Sequence, residues 1–213
     1  MFIPGELWLR GEEVTLRPLT GEDAQPLSIA AAESREHYGF TRVPNGPADH
    51  EAAVAAAIAQ RERGERFPFA VIWCGRIVGT TSYLSFQPWQ WERNDQTAQF
   101  AMPDAVEIGS TWLAASAMRT RCNTETKLLL MTHAFESWKV LRLSLRTDAR
   151  NARSRRAIER LGAAFEGILR ADKPAADGTV RDSACYSILA AEWPYISERL
   201  RERLTPRAAY GGI

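Results

Sequence analysis

The chain has 213 residues, too long for a disulfide-stapled mini-domain and short for two full domains, so one domain with its own core is expected. Apolar residues make up 45% and charged residues 25%, the balance of a soluble globular protein. Twenty-seven lysines and arginines stand against 26 acidic residues, and a net charge of +1 argues against a general nucleic-acid binder.

In chain order, Val14 to Leu19 reads as a short strand ending near Pro18, a position that proline tolerates at a sheet edge. Gly21, Glu22 and Asp23 read as a helix entry, with the helix over Ala24 to Ser34. Gly39 to Asp49, with two prolines and two glycines, reads as a loop. Asp49 is placed as the N-cap of an alanine-rich helix running to about Arg63 and stopped by Gly64. The charge run Arg61 to Arg66 reads as a solvated helix end.

Phe67 to Trp73 and Arg76 to Phe86 are apolar, β-branched runs joined by Cys74-Gly75, a hairpin signal. Gln87 to Gln99 is polar around Trp89 and Trp91 and reads as a loop or hairpin tip. Val106 to Ala114 reads as a strand. Asn123 to Val140 reads as the longest helix, with Leu128, Leu129, Met131, Phe135 and Trp138 giving an apolar stripe. Leu141 to Thr147 alternates as a strand, and Asn151 to Leu161 is a short helix ending at Gly162. Phe165 to Leu169 and Val180 to Leu189 are the last strands, parted by Ala176-Asp177-Gly178, and Trp193 to Leu204 is a terminal helix. Hairpins mixed with βα units predict an α/β chain with a mixed sheet, as one domain over 1–213 with its core at about 14–193 and a C-terminal helix at 194–204.

Cys74, Cys122 and Cys185 form no C-x-x-C pair, and an odd count suits a reduced, cytoplasmic chain. His37, His50 and His133 have no ligand spacing, so no metal is expected. No signal peptide is visible, and no apolar stretch reaches 18 residues, so no membrane partner is expected.

Three segments carry residues suited to chemistry. Met118 to Thr126 follows a strand and opens the long helix, where free amides at the positive end of the helix dipole suit an anion. Arg119 and Arg121 add charge, and Asn123 or Thr124 is placed as the cap. A plain strand-to-helix connection with solvent-facing arginines explains the same residues. Thr147 to Gly162 begins with Asn151 as a cap, has Ser154 in its first turn, and crowds four arginines at a helix start, which opposes the dipole unless an anion binds. A solvated basic face, with Glu159 pairing Arg155, is the competing account. In the strand Val106 to Leu113, Gly109 marks a bulge or a close approach, and Glu107 is the sole carboxylate, either facing water or serving as a base.

The order of elements, EIGSTWLA at 107–114, RTRCNTETK at 119–127 and DARNARSRRAIERLGAAFEG at 148–167 together resemble the GCN5-related N-acetyltransferases. Within them the chain is similar to the ribosomal-protein N-terminal acetyltransferases. The family's Q/R-x-x-G-x-G/A loop is matched at Arg119, while Cys122 and Thr124 stand where glycine, and glycine or alanine, are usual. The resemblance implies a central twisted mixed sheet of about seven strands, splayed between the fourth and fifth, with acetyl-CoA in the splay. It implies a pantetheine arm against the backbone near Trp112 and Leu113, and a pyrophosphate on the amides of Arg119, Thr120, Arg121, Cys122, Asn123 and Thr124. Asn151 and Ser154 would also meet the arm.

The implied reaction is acetyl transfer to a primary amine of a small molecule or a protein N-terminus, with Glu107 as the base. Many relatives carry a tyrosine acid seven residues after the asparagine; that position is Ile158, which leaves Ser154 as a weak donor or no acid at all. Tyr83, Trp89, Trp91 and Tyr186 are the acceptor-pocket candidates, with core or lid packing as the plainer role. Glu33, Glu36 and Asp182 suit a cationic amine, though surface charge explains them equally. Three rivals remain: a Cys122 nucleophile, a non-catalytic acyl-CoA-binding regulator with the same fold, and a nucleic-acid adaptor, which the charge balance disfavours. Relatives often dimerise, but nothing in the chain specifies a homodimer.

Overall fold

The computed structural model describes residues 6–89 and 102–205. Its strands are β1 (Leu9–Arg10), β2 (Val14–Pro18), β3 (Arg66–Trp73), β4 (Arg76–Gln87), β5 (Ala105–Leu113), β6 (Arg142–Asp148), β7 (Ala164–Pro174) and β8 (Val180–Leu189). Its helices are α1 (Ala24–Ala32), α2 (Pro47–Glu62), α3 (Cys122–Thr132), α4 (Ala152–Arg160) and α5 (Trp193–Leu204). The strands form one sheet of eight in the order β1-β2-β3-β4-β5-β6-β8-β7. Every neighbouring pair is antiparallel except β5–β6, which is parallel. The eighth strand, one more than expected, is β1, whose two residues are too few to show a period.

The β3–β4 hairpin follows from local chemistry. Cys74 and Gly75 both have positive φ, 49° and 75°, which matches the twist of a two-residue hairpin turn. Phe67, Phe69 and Tyr83 then share one face of the sheet and pack together. The Tyr83 hydroxyl donates to the Leu130 carbonyl at 2.5 Å, so this face is covered by α3. The opposite face receives α2 and the chain before it. Trp112 meets Tyr38 and His50 there, edge to face at 6.1 and 6.0 Å.

Several boundaries differ from expectation. The second helix begins at Pro47 with Gly46 (φ 86°) as its N-cap, so Asp49 lies inside the first turn. Proline at the first position presets helical φ and moves the start forward. Arg66 is not part of a solvated helix end: it is the first residue of β3 and its guanidinium is largely buried. The long helix stops at Thr132 and passes through a wide π-type turn, His133–Ser137, so α2 is longer than α3. That turn accompanies the packing of Trp138 on Tyr83 at 4.6 Å. Its N-cap is Arg121, with no side-chain cap, rather than Asn123 or Thr124.

Candidate active site

The parallel pair β5–β6 is laddered over three positions only: Ala105 with Arg142, Val106 with Leu143, and Glu107 with Ser144. Past Glu107 the two strands part. Strand β5 instead stays with β4, through a bulge in which the register slips between Thr80 and Ser82 and Ser110 takes φ 48°. Gly79 permits this approach, because a Cβ there would lie 2.1 Å from the Trp112 carbonyl oxygen. At Gly109 a Cβ would lie 2.8 Å from Leu84 Cδ1 and 3.3 Å from Glu107 Oε1, so the glycine keeps that carboxylate clear. The parted strands, α2, the preceding loop and α4 enclose a cleft of about 800 Å3.

Of the residues singled out in the sequence, Glu107, Gly109, Trp112, Asn123, Ser154 and Ile158 line this cleft. Glu107 is buried, 7% exposed, at the point where the ladder ends. Burial raises its carboxyl above the usual range, and Arg146, Lys173 and Arg181 oppose that rise. Its Oε2 lies 3.3 Å from Arg146 Nε.

Another cleft residue was barely legible in the sequence. Lys127, in the second turn of α3, reaches back to the bulge, where its Nζ donates to Thr111 Oγ1 at 2.7 Å and to Thr81 Oγ1 at 3.5 Å. The two threonine hydroxyls are themselves 2.8 Å apart. No carboxylate among the described residues pairs with this ammonium, and burial lowers it to about 7. A polar residue within a helical apolar stripe was the only hint, and it resembles any exposed helical lysine.

The predicted anion segment forms the turn into α3. Arg119 has left-handed φ, 62°. Thr120 Oγ1 donates to the Ala117 carbonyl at 2.8 Å and accepts the Cys122 amide at 3.1 Å. The amides of Asn123 and Thr124 make no hydrogen bond to a described residue, so two first-turn donors remain. Arg121 leans on Glu12 and Glu13 at 3.4 and 3.5 Å. Cys122 has no exposed surface and burial pushes its thiol up to about 12, which overturns the nucleophile reading.

At α4 the expected cap is present: Asn151 Oδ1 accepts the Ser154 amide at 3.0 Å. Asn151 is buried behind the helix start and does not line the cleft, whereas Ser154 and Ile158 do. The Leu113 carbonyl accepts the Tyr38 hydroxyl at 2.9 Å.

The aromatic acceptor candidates are not brought together. Tyr83 is a core residue under α3, with no exposed surface. Tyr186 is equally buried, its hydroxyl accepting from Arg155 and donating to Glu159, both at 3.0 Å. Trp89 is exposed and its amide donates to Asp104 Oδ2 at 2.7 Å. Trp91 lies outside the described residues. Their shared flaw is that aromatic identity marks burial as readily as a binding wall. Among the described residues, no group of His, Cys, Asp or Glu could hold a metal ion and no helix is long and apolar enough to cross a membrane.

Residues 13–164 match the model of the acetyltransferase (GNAT) domain. The fold is similar to that of a GCN5-related N-acetyltransferase from Brucella melitensis, with 25% identity and a TM-score of 0.83 over 99% of this chain and 91% of that one. It is similar to Mycobacterium smegmatis RimJ, solved in complex with CoA-disulfide, at 21% identity and a TM-score of 0.73 over 93% of each chain. It is also similar to RimL, a ribosomal L7/L12 alpha-N-protein acetyltransferase, at 16% identity and a TM-score of 0.71 over 86% of this chain and 94% of that one. No curated protein matches the chain in sequence.

Proposed function

We propose that this chain, which belongs to the GNAT acetyltransferase family, moves an acetyl group from acetyl-CoA to a primary amine by direct attack within a ternary complex. The observation that carries the reading is the ladder of β5–β6 ending at Glu107, so that a buried carboxylate stands at the narrow end of an open cleft.

The residues present suit the coenzyme. The parted edge of β5 offers backbone at Trp112 for an extended arm to lie against, in the manner of an added strand. Leu113 contributes position more than pairing, since its carbonyl already has Tyr38. The free amides of Asn123 and Thr124, with Arg119 and Arg121, are suited to hold a pyrophosphate at the positive end of α3. Thr120 and Cys122 shape that turn rather than donate to it. Ser154 lies in the cleft wall beside the arm, and Asn151 holds the helix start that presents it. Bound acetyl-CoA supplies an acetyl group activated as a thioester.

Glu107 takes the proton from the incoming amine, directly or through water. A lysine-like amine is neutral in about one molecule per thousand at pH 7, so a base contributes about 10²–10⁴ in rate. Arg146 beside Glu107 favours the ionised form that a base requires. Ile158 faces the cleft where relatives place a tyrosine, so Ser154 is left to assist the departing thiol, whose own pKa near 8.5 lets it leave with little help. Holding the reactants together supplies much of the rest. The likeness to RimL makes a protein N-terminus one candidate acceptor beside small amines.

The absent tyrosine also favours a second reading, a coenzyme-binding regulator without turnover. An acceptor screen read by free-thiol release, paired with calorimetry of CoA, separates the readings. Binding with amine-dependent thiol release supports the enzyme, binding without it supports the regulator, and absence of binding at millimolar CoA rejects both.

A further inference from the structure

The whole chain is nearly neutral, but the cleft is not. Six cationic side chains and two acidic ones line it among the described residues. Four of the cations gather around its narrow end. Arg146, Lys173 and Arg181 all act on the Glu107 carboxylate, against a single nearby acid, Asp172. Arg66 stands on the same sheet face two strands away, because Arg66 pairs with Leu84 and Leu84 pairs with Glu107. At ordinary strand spacing that separation is about 10 Å.

Their pairing is incomplete. Arg66 is largely buried, yet its donors meet only neutral oxygens, Ser82 Oγ at 2.8 Å and Gln60 Oε1 at 3.4 Å. Burial without a counter-charge lowers it to about 10. Arg181 Nε donates to Ser183 Oγ at 2.8 Å, again a neutral partner. No carboxylate of a described residue lies within ion-pair distance of either guanidinium, whereas Arg146 has Glu107 at 3.3 Å and Lys173 has Asp172 at 3.5 Å. A guanidinium is seldom buried unpaired unless something else supplies the anion.

The coenzyme's phosphates do not answer this need. The reading above places the pyrophosphate at the start of α3, outside the narrow end, and the arm carries no charge. We infer that the acceptor brings the missing anion: it is an amine with a carboxylate nearby, held by Arg66 and Arg181 with support from Arg146 and Lys173, while Glu107 receives the amine. A polyamine or aminoglycoside would meet like charge at the same place. The inference rests on the acetyl-transfer reading. It replaces the expectation of a cationic amine drawn by Glu33, Glu36 and Asp182, none of which lines the cleft.

The test uses the full chain, acetyl-CoA and matched acceptors: alanine against alaninamide, short C-terminally amidated peptides with aspartate or asparagine in second position, and spermidine. Free thiol is followed. The acid is expected to exceed its amide by about tenfold or more in kcat/KM, the scale of one charge-assisted hydrogen bond. The free amino acids and the peptides show which molecule delivers the carboxylate. Arg66→Gln with Arg181→Gln should bring the acid-to-amide ratio close to one through KM, and Arg66→Lys should restore part of it. The exposed Lys173→Gln, which leaves the core intact, should narrow it less. Amides or spermidine matching the acids would overturn the inference, and so would an enzyme that binds CoA yet accepts no acidic amine. Failure to bind CoA in calorimetry overturns the acetyl-transfer reading instead.

Discussion

Strands β3 and β4 and strands β5 and β6 are neighbouring pairs in one sheet, and they use the same bonds to opposite ends. The first pair is laddered from Arg66 to Trp73 with a single irregularity, and its inner face is filled by Phe67, Phe69 and Tyr83. The second pair is laddered over three residues and then opens. Closure makes a core of packed aromatic side chains. Opening leaves Glu107 and Lys127 at a partly dry boundary, where burial raises the one carboxyl and lowers the other's ammonium. A pair that fails to close costs sheet hydrogen bonds, and what it provides is a place where charged groups are desolvated beside an open cleft.

The sharpest way to break this contrast is Glu107→Gln. It removes a charge at the open pair, keeps the shape, and should lower kcat by about 10²–10⁴ while CoA affinity in calorimetry stays close to wild type. Because burial raises the Glu107 carboxyl, the acid limb of the wild-type rate profile should lie above the ordinary carboxylate range of 4.5. Turnover by the variant equal to wild type across neutral pH would remove Glu107 as the base.

Lys127→Met probes the opposite wall. Burial lowers the ammonium from 10.5 to about 7 in the folded chain. Between those values the unfolded chain holds more protons than the folded one, so stability rises with pH through that window and is lower below it. The full span is on the order of a few kcal/mol. Urea midpoints at about pH 6 and about pH 9.5 should therefore differ in wild type and converge in the variant. A slope that persists in Lys127→Met would place the titrating group elsewhere.

Asn151→Ala tests the entry to the cleft on the α4 side. Loss of the cap to the Ser154 amide should cost about 1 kcal/mol in denaturant unfolding and weaken CoA binding. Wild-type CoA affinity would confine Asn151 to a structural role. The smallest effect is expected at Arg119→Gly. The left-handed φ of 62° strains any side chain, so glycine should add about 1 kcal/mol of stability or less. CoA affinity should fall at the same time if the guanidinium meets phosphate, and an unchanged affinity would leave Arg119 a turn residue only.

Much of the scaffold was legible in residues of local meaning. Cys74-Gly75 marked its hairpin, Asn151 and Ser154 marked their cap, and Trp193 to Leu204 matched the final helix end to end. Glu107 and Gly109 were conspicuous as a charge and a glycine in an apolar strand, and both are at the cleft. Tyr83 and Tyr186 failed as pocket residues because aromatic character does not say which face of a strand meets a helix; only register puts both in the core. Lys127 and Arg66 looked like solvent residues, one on a helix and one in a charge run, and were found facing the cleft.

The sequence alone determined the order of elements, the mixed α/β class and the turn and cap chemistry, since these depend on periodicity and on neighbours a few residues apart. The tertiary structure alone decided that β5 follows β4 instead of β6 beyond Glu107, and that Arg66, Lys127 and Arg181 converge there from three distant segments. The physical reason is that burial and charge pairing are set by what lies across space, and desolvation acts on a group's surroundings, which its place in the chain does not record.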